Sequence, residues 1–130
     1  MKVLGIGVDI IENKRIKNSI KNYKFISRIY SKNELKQSLL SKNKISYFTK
    51  RFAAKEAFSK ALGTGFRNNL NFKDIEIIND QMGKPYYVKT KKIINIVQKK
   101  FKVKNFNCFL SISDEKDYST AFAIIQSIWN

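Results

Sequence analysis

With 130 residues, 43% hydrophobic and 13% aromatic, the chain suits one domain spanning 1–130 with a real core, and it is not an intrinsically disordered segment. It has no histidine, which removes the commonest general base, the usual zinc ligand and every Ser-His-Asp scheme; acid–base work falls to carboxylates, lysines or a metal-bound water. A net charge of +16 points to anionic partners: nucleotides, nucleic acid, an acidic protein or a membrane surface.

Part of that charge has a plainer source. Of the 26 cationic residues 22 are lysine, and Lys, Asn and Ile share A/T-rich codons, so each basic cluster is weighed separately. No secretory signal is visible, and no apolar run approaches the ~20 residues of a membrane span. The single Cys108 gives no disulfide framework and reads as a small buried hydrophobe. The expected location is the cytoplasm, with no membrane partner.

In chain order, 3–11 reads as a strand. Its alternation assigns Leu4, Ile6, Val8 and Ile10 to a core face and Val3, Gly5, Gly7 and Asp9 to the other. Basic residues interleaved with Ile16, Ile20, Phe25, Ile26 and Ile29 predict helix over 13–30, broken near Asn22. Ser31 and Glu34 have capping-box spacing and predict a short helix start. A longer helix is predicted over 45–62, ended by Gly63. Beyond it come a strand at 74–78, a turn at 80–85, a return strand at 86–89, a helix at 91–101, and a hairpin of strands 106–113 and 118–127. Helices early and hairpins late predict an α+β fold, a mostly antiparallel sheet packed against the long helix.

Two places carry chemistry. On the strand, Gly5 and Gly7 leave bare backbone beside Asp9, a setting for an ion or a phosphate or, equally, bulge glycines beside an edge aspartate. On the long helix, Glu56 and Lys60 share a face, with slim Ala53, Ala54, Ala57 and Ala61 on the flanks. Glu56 beside Asp9 would hold a divalent cation as magnesium is held, by two carboxylates plus phosphate oxygens. An ordinary surface Glu–Lys pair explains the same spacing. Gly63 and Gly65 fit a phosphate cradle, and Gly63 a helix C-cap just as well.

Gly5-Ile6-Gly7-Val8-Asp9-Ile10, Arg51-Phe52-Ala53-Ala54-Lys55-Glu56-Ala57 and Lys60-Ala61-Leu62-Gly63-Thr64-Gly65 together resemble the holo-acyl-carrier-protein synthase family, the short bacterial-type 4′-phosphopantetheinyl transferases. Asn79-Asp80-Gln81-Met82-Gly83-Lys84-Pro85 and Leu110-Ser111-Ile112-Ser113 extend the resemblance along the chain. The resemblance implies the 4′-phosphopantetheinyl transferase-like fold and transfer of 4′-phosphopantetheine from coenzyme A to a serine of apo acyl carrier protein. Adenosine 3′,5′-bisphosphate is released, and the reaction supports fatty acid biosynthesis. It also implies magnesium on Asp9 and Glu56, phosphate contact by Lys60, and a homotrimer with coenzyme A between subunits.

Further roles follow from the same resemblance. Lys60, with Arg51, is expected to stabilise charge toward the leaving bisphosphate, and Gly63 and Gly65 to lie on the coenzyme side. Lys42 and Lys44 are placed toward the adenosine 3′-phosphate. Arg15, Lys17, Lys21, Lys24 and Arg28 are expected to dock the acidic carrier protein. The serine proton acceptor is Glu56, Glu34 or a metal-bound water, with Glu56 favoured. Many relatives have histidine after the Ser-Ile-Ser run where this chain has Asp114, which puts the 3′-phosphate contact there in doubt and raises the alternative of a member with weakened catalysis. A basic nucleic-acid-binding domain is the alternative from charge alone; no zinc motif or helix-turn-helix signature supports it.

Overall fold

The computed structural model describes residues 1–67 and 69–128. In chain order its elements are β1 (Val3–Glu12), α1 (Asn13–Ser19), α2 (Tyr23–Ile29), α3 (Lys32–Ser38), α4 (Lys44–Leu62), a 3-10 turn (Phe72–Asp74), β2 (Ile77–Asn79), β3 (Pro85–Tyr87), α5 (Lys91–Phe101), β4 (Phe106–Asp114) and β5 (Tyr118–Ser127). The three long strands form one antiparallel sheet in the order β1-β5-β4, and β2 pairs with β3 in a separate hairpin. The fold is α+β with antiparallel sheets, as expected.

Local chemistry sets the helix ends. The break between α1 and α2 falls at Asn22, whose side chain accepts from the Lys24 N–H and starts α2. Ser31 and Glu34 form the predicted capping box on α3. Asn43 caps α4, which stops at Gly63 in the left-handed region, φ 80°. The strand expected at 74–78 is partly replaced. The Asp74 carboxylate accepts from the Asn71 N–H at 2.8 Å and closes the 3-10 turn, so pairing begins only at Ile77.

Most of α4 is buried, and it packs across the β1-β5-β4 sheet. Leu4 packs against the core as expected, but from Gly5 onward the packing inverts the expected faces of β1. Ile6, Val8 and Ile10 are 59%, 55% and 64% exposed, while Gly7 is buried and Gly5 half-buried. A β-carbon on Gly5 would stand 1.9 Å from the Ala61 carbonyl oxygen, and one on Gly7 1.9 Å from that of Ala57. The glycines therefore admit the backbone of α4, and the apolar alternation lies on the opposite, uncovered face. Small residues continue across the sheet: Gly7 pairs with Ala123 and Asp9 with Ala121, both buried.

A buried ion pair fixes α4 against α3 and β2. Lys55 Nζ lies 2.7 Å from Glu34 Oε1 with both side chains fully buried, and it also donates to the Phe72 and Ile75 carbonyls. Glu34 accepts further from the Ser31 and Ile77 N–H groups. Every ammonium proton and both carboxylate oxygens are thus satisfied, the condition under which a buried pair is tolerated.

Candidate active site

Antiparallel travel of β1 along α4 sets Gly5 against Ala61 and Gly7 against Ala57, and carries Asp9 toward the middle of the helix. There the predicted cluster assembles. Lys60 Nζ is 2.9 Å from Asp9 Oδ1 and 3.0 Å from the Val8 carbonyl oxygen. Asp9 Oδ2 is buried and has no hydrogen-bond partner. Glu56 stands close enough to feel both. Its carboxyl is pushed above the usual carboxylate range, first by burial and next by the charge of Asp9, with Lys60 and Arg15 pulling the other way.

An orphaned buried carboxylate oxygen costs free energy unless a cation or donor meets it. Asp9 and Glu56 together fit a hard divalent cation. Among the described residues no group of three or more His, Cys, Asp or Glu gathers, so the protein offers two carboxylates here and leaves other positions to water and phosphate oxygens.

Arg51 is placed elsewhere. It lies nine positions before Lys60, which puts the two on opposite sides of α4. Its guanidinium stacks 3.8 Å from the centroid of the Tyr47 ring and donates to the Ile77 carbonyl and Asn79 Oδ1. It lines a cleft of about 450 Å³ with Gln37, Lys50, Asn79, Gly83 and Asp114. Within a single chain the helix itself therefore stands between Arg51 and Lys60, the two residues expected to stabilise charge toward the leaving bisphosphate. Gln37 and Asn79 escaped the sequence reading as cleft residues. Asn79 stands in the 79–85 motif, which carried the signal.

Other expected positions take structural work. The Gly63 and Gly65 N–H groups donate to the carbonyls of Lys60 and Ser59, so these amides end the helix rather than stand open to a phosphate. Lys44 Nζ donates to the Ser38 carbonyl and, at 3.1 Å, to that of Ser41, holding the end of α3. Glu34 is the buried partner of Lys55 and is sealed from a substrate hydroxyl, which removes it as a proton acceptor. Burial pushes the Cys108 thiol up to about 12, so it is no nucleophile at neutral pH.

The basic helices behave less uniformly than expected. Lys17, Lys21, Lys24 and Arg28 are exposed along α1, the turn after it and α2. Arg15 is exposed too, but its guanidinium carbon lies 5.3 Å from the Phe52 ring centroid and its charge reaches Glu56. It bridges the basic face and the carboxylate site. Asp114 accepts from Ser46 Oγ at 2.9 Å, which turns its carboxylate toward the first turn of α4.

A buried aspartate with an orphaned oxygen, paired to a lysine and set beside a second carboxylate, fits a site that handles a phosphate-linked group. The sequence profile of the 4′-phosphopantetheinyl transferase superfamily matches residues 5–123, and the chain belongs to that family. It is 62% identical over 126 residues to a holo-[acyl-carrier-protein] synthase from Pelagibacter ubique (strain HTCC1062), covering 97% of this chain and 98% of that one. A crystal structure of the synthase from Neisseria meningitidis superposes with a TM-score of 0.84 at 35% identity, covering 96% and 99% of the two chains. One from Bacillus anthracis, in complex with CoA (3′,5′-ADP), gives 0.80 at 35% identity, covering 98% and 100%. This membership displaces the reading as a nucleic-acid-binding domain.

Proposed function

We propose that this chain, acting as one phosphopantetheinyl transferase domain, transfers 4′-phosphopantetheine from coenzyme A to a serine hydroxyl of apo acyl carrier protein and releases adenosine 3′,5′-bisphosphate. The observation that carries the site assignment is the unpartnered buried oxygen of Asp9 beside Glu56 and Lys60. A magnesium ion on Asp9 and Glu56 would neutralise charge on the pyrophosphate and act as a Lewis acid there. Lys60 sets a further positive charge at the same place, where negative charge builds toward the leaving bisphosphate. Glu56 is the proposed acceptor of the serine hydroxyl proton. The serine oxygen then bonds to phosphorus, and the bridging oxygen departs with the electron pair of the broken bond.

The assembly proposed is a homotrimer. The uncovered apolar face of the sheet, with Ile6, Val8 and Ile10 of β1, Phe109 of β4 and Phe122 of β5, supports it as an interface. Sites between subunits also account for Arg51 and Lys60 lying on opposite sides of α4: one coenzyme A meets Lys60 of one chain and Arg51 of another. The acidic carrier docks on the basic face of α1 and α2. Among the described residues no helix is long and apolar enough to cross a membrane, and the proposed location is the cytoplasm.

The test is direct. The protein is mixed with magnesium, coenzyme A and an apo carrier protein, and the carrier is weighed by mass spectrometry. A gain of one phosphopantetheine is expected. No gain with several carriers would refute the function, and near-wild-type rates in Asp9→Asn would refute the metal assignment.

A further inference from the structure

Asp9 and Glu56 place two carboxylates in a partly desolvated site, and something must offset their charge before substrate arrives. Lys60 does so. Its ammonium holds Asp9 Oδ1 and the Val8 carbonyl, yet its side chain is 53% exposed, against 14% for Asp9. The anion is fixed in the fold, whereas the cation sits on a flexible stem at the surface and swings away at little cost in packing.

We propose that Lys60 is an exchangeable counter-ion of Asp9: it neutralises the carboxylate in the free protein, and a divalent cation that engages the orphaned Oδ2 releases it to the phosphates of the substrate. The driving force is electrostatic. An ammonium and a divalent cation on one carboxylate repel each other at a few ångströms, and most strongly where water is scarce. The freed ammonium then adds to the attraction for a pyrophosphate. Cation and nucleotide therefore strengthen each other's binding, and by linkage the coupling is reciprocal. Lys60 carries a defined share of it, with opposite effects on the two partners: it opposes the cation when alone and favours the nucleotide once the cation is bound. The inference rests on the assignment of a cation to Asp9 and Glu56.

Manganese titrations followed by electron paramagnetic resonance test this without any turnover. The proteins are wild type, Lys60→Met, Lys60→Arg and Asp9→Asn, each with and without coenzyme A, and each checked for folding by circular dichroism. Without coenzyme A, Lys60→Met binds manganese roughly 2- to 5-fold more tightly than wild type, the range expected for removing one half-exposed charge pair. Lys60→Arg binds as wild type does. The tightening of manganese binding by coenzyme A shrinks in Lys60→Met. Equal or weaker manganese binding by Lys60→Met overturns the exchange, since a lysine that merely orients Asp9 would be missed by the metal. If Asp9→Asn binds manganese as wild type does, the cation assignment itself fails and the exchange fails with it. If Asp9→Asn loses manganese while Lys60→Met does not gain, only the exchange fails.

Discussion

Gly7 touches α4 so closely that a β-carbon on it would stand 1.9 Å from the carbonyl oxygen of Ala57 and 2.7 Å from the Ala61 nitrogen. Both obstacles are backbone, so no side chain can turn aside. Gly7→Ala must push β1 away from α4 and should cost about 3 kcal/mol. Because Asp9 lies two residues along the same strand, transferase activity should fall with stability. Thermal unfolding measures the first, and an unchanged melting temperature would show that the strand and helix are not in contact.

The Glu34–Lys55 pair predicts strong non-additivity. Lys55→Met leaves the Glu34 carboxylate buried with its main partner gone and should cost about 3–5 kcal/mol. In Glu34→Gln/Lys55→Met no unpaired charge remains, so the double variant should lose clearly less than the sum of the two singles. Urea denaturation of the four proteins gives the coupling, and simple additivity contradicts the pairing.

Glu56 predicts a pH dependence of stability in the metal-free protein. Burial and Asp9 raise its folded-state proton affinity above that of the unfolded chain. A carboxyl shifted upward contributes stability that is complete below its unfolded value and is lost as pH rises through its folded value. Glu56→Gln mimics the protonated form and escapes that loss. With a chelator present, the variant should match wild type in mild acid and melt at a higher temperature at neutral pH. A gap that instead widened toward acid would reverse the assigned shift.

Carrier docking and site electrostatics separate at Arg28 and Arg15. Arg28→Glu alters an exposed charge on α2 and should raise KM for the carrier roughly 10-fold with little change for coenzyme A. Arg15→Glu should do the same and also shift the acid limb of the rate profile upward, because its charge reaches Glu56. Equal effects on both substrates from Arg28→Glu would remove α2 from the docking face.

For the trimer, Val8→Asp sets a charge beside Phe122 on the exposed sheet face, on the side away from α4. Light scattering should show three chains for wild type and one for the variant, with circular dichroism unchanged. A single chain in both would leave the apolar face without its proposed partner copies.

Much was legible because local chemistry decided it. Asn22, Ser31 and Gly63 each mark a helix boundary through their own side chain or backbone freedom, and the structure places the boundaries there. Glu56 and Lys60 share a face by helix period alone. Illegible was the side of β1 that faces inward, because both faces carry residues that a core accepts, and alternation says which residues share a face but not which face is covered. Ile6, Val8 and Ile10 look like core until Ala57 and Ala61 are seen to need glycine opposite them. The burial of Glu34 is illegible for a related reason: its capping role is local, but its contact with Lys55 spans 21 positions.

The sequence by itself determined the elements, the family motifs and the residue types that can hold a cation beside phosphates. Only the tertiary structure decided which of them meet. It brought Asp9 to Glu56 and Lys60, set Arg51 behind the same helix, and left one oxygen of Asp9 without a partner. The reason is physical: propensity and capping act within a few residues, whereas the close approach of β1 to α4 is set by side-chain volume at positions about fifty residues apart.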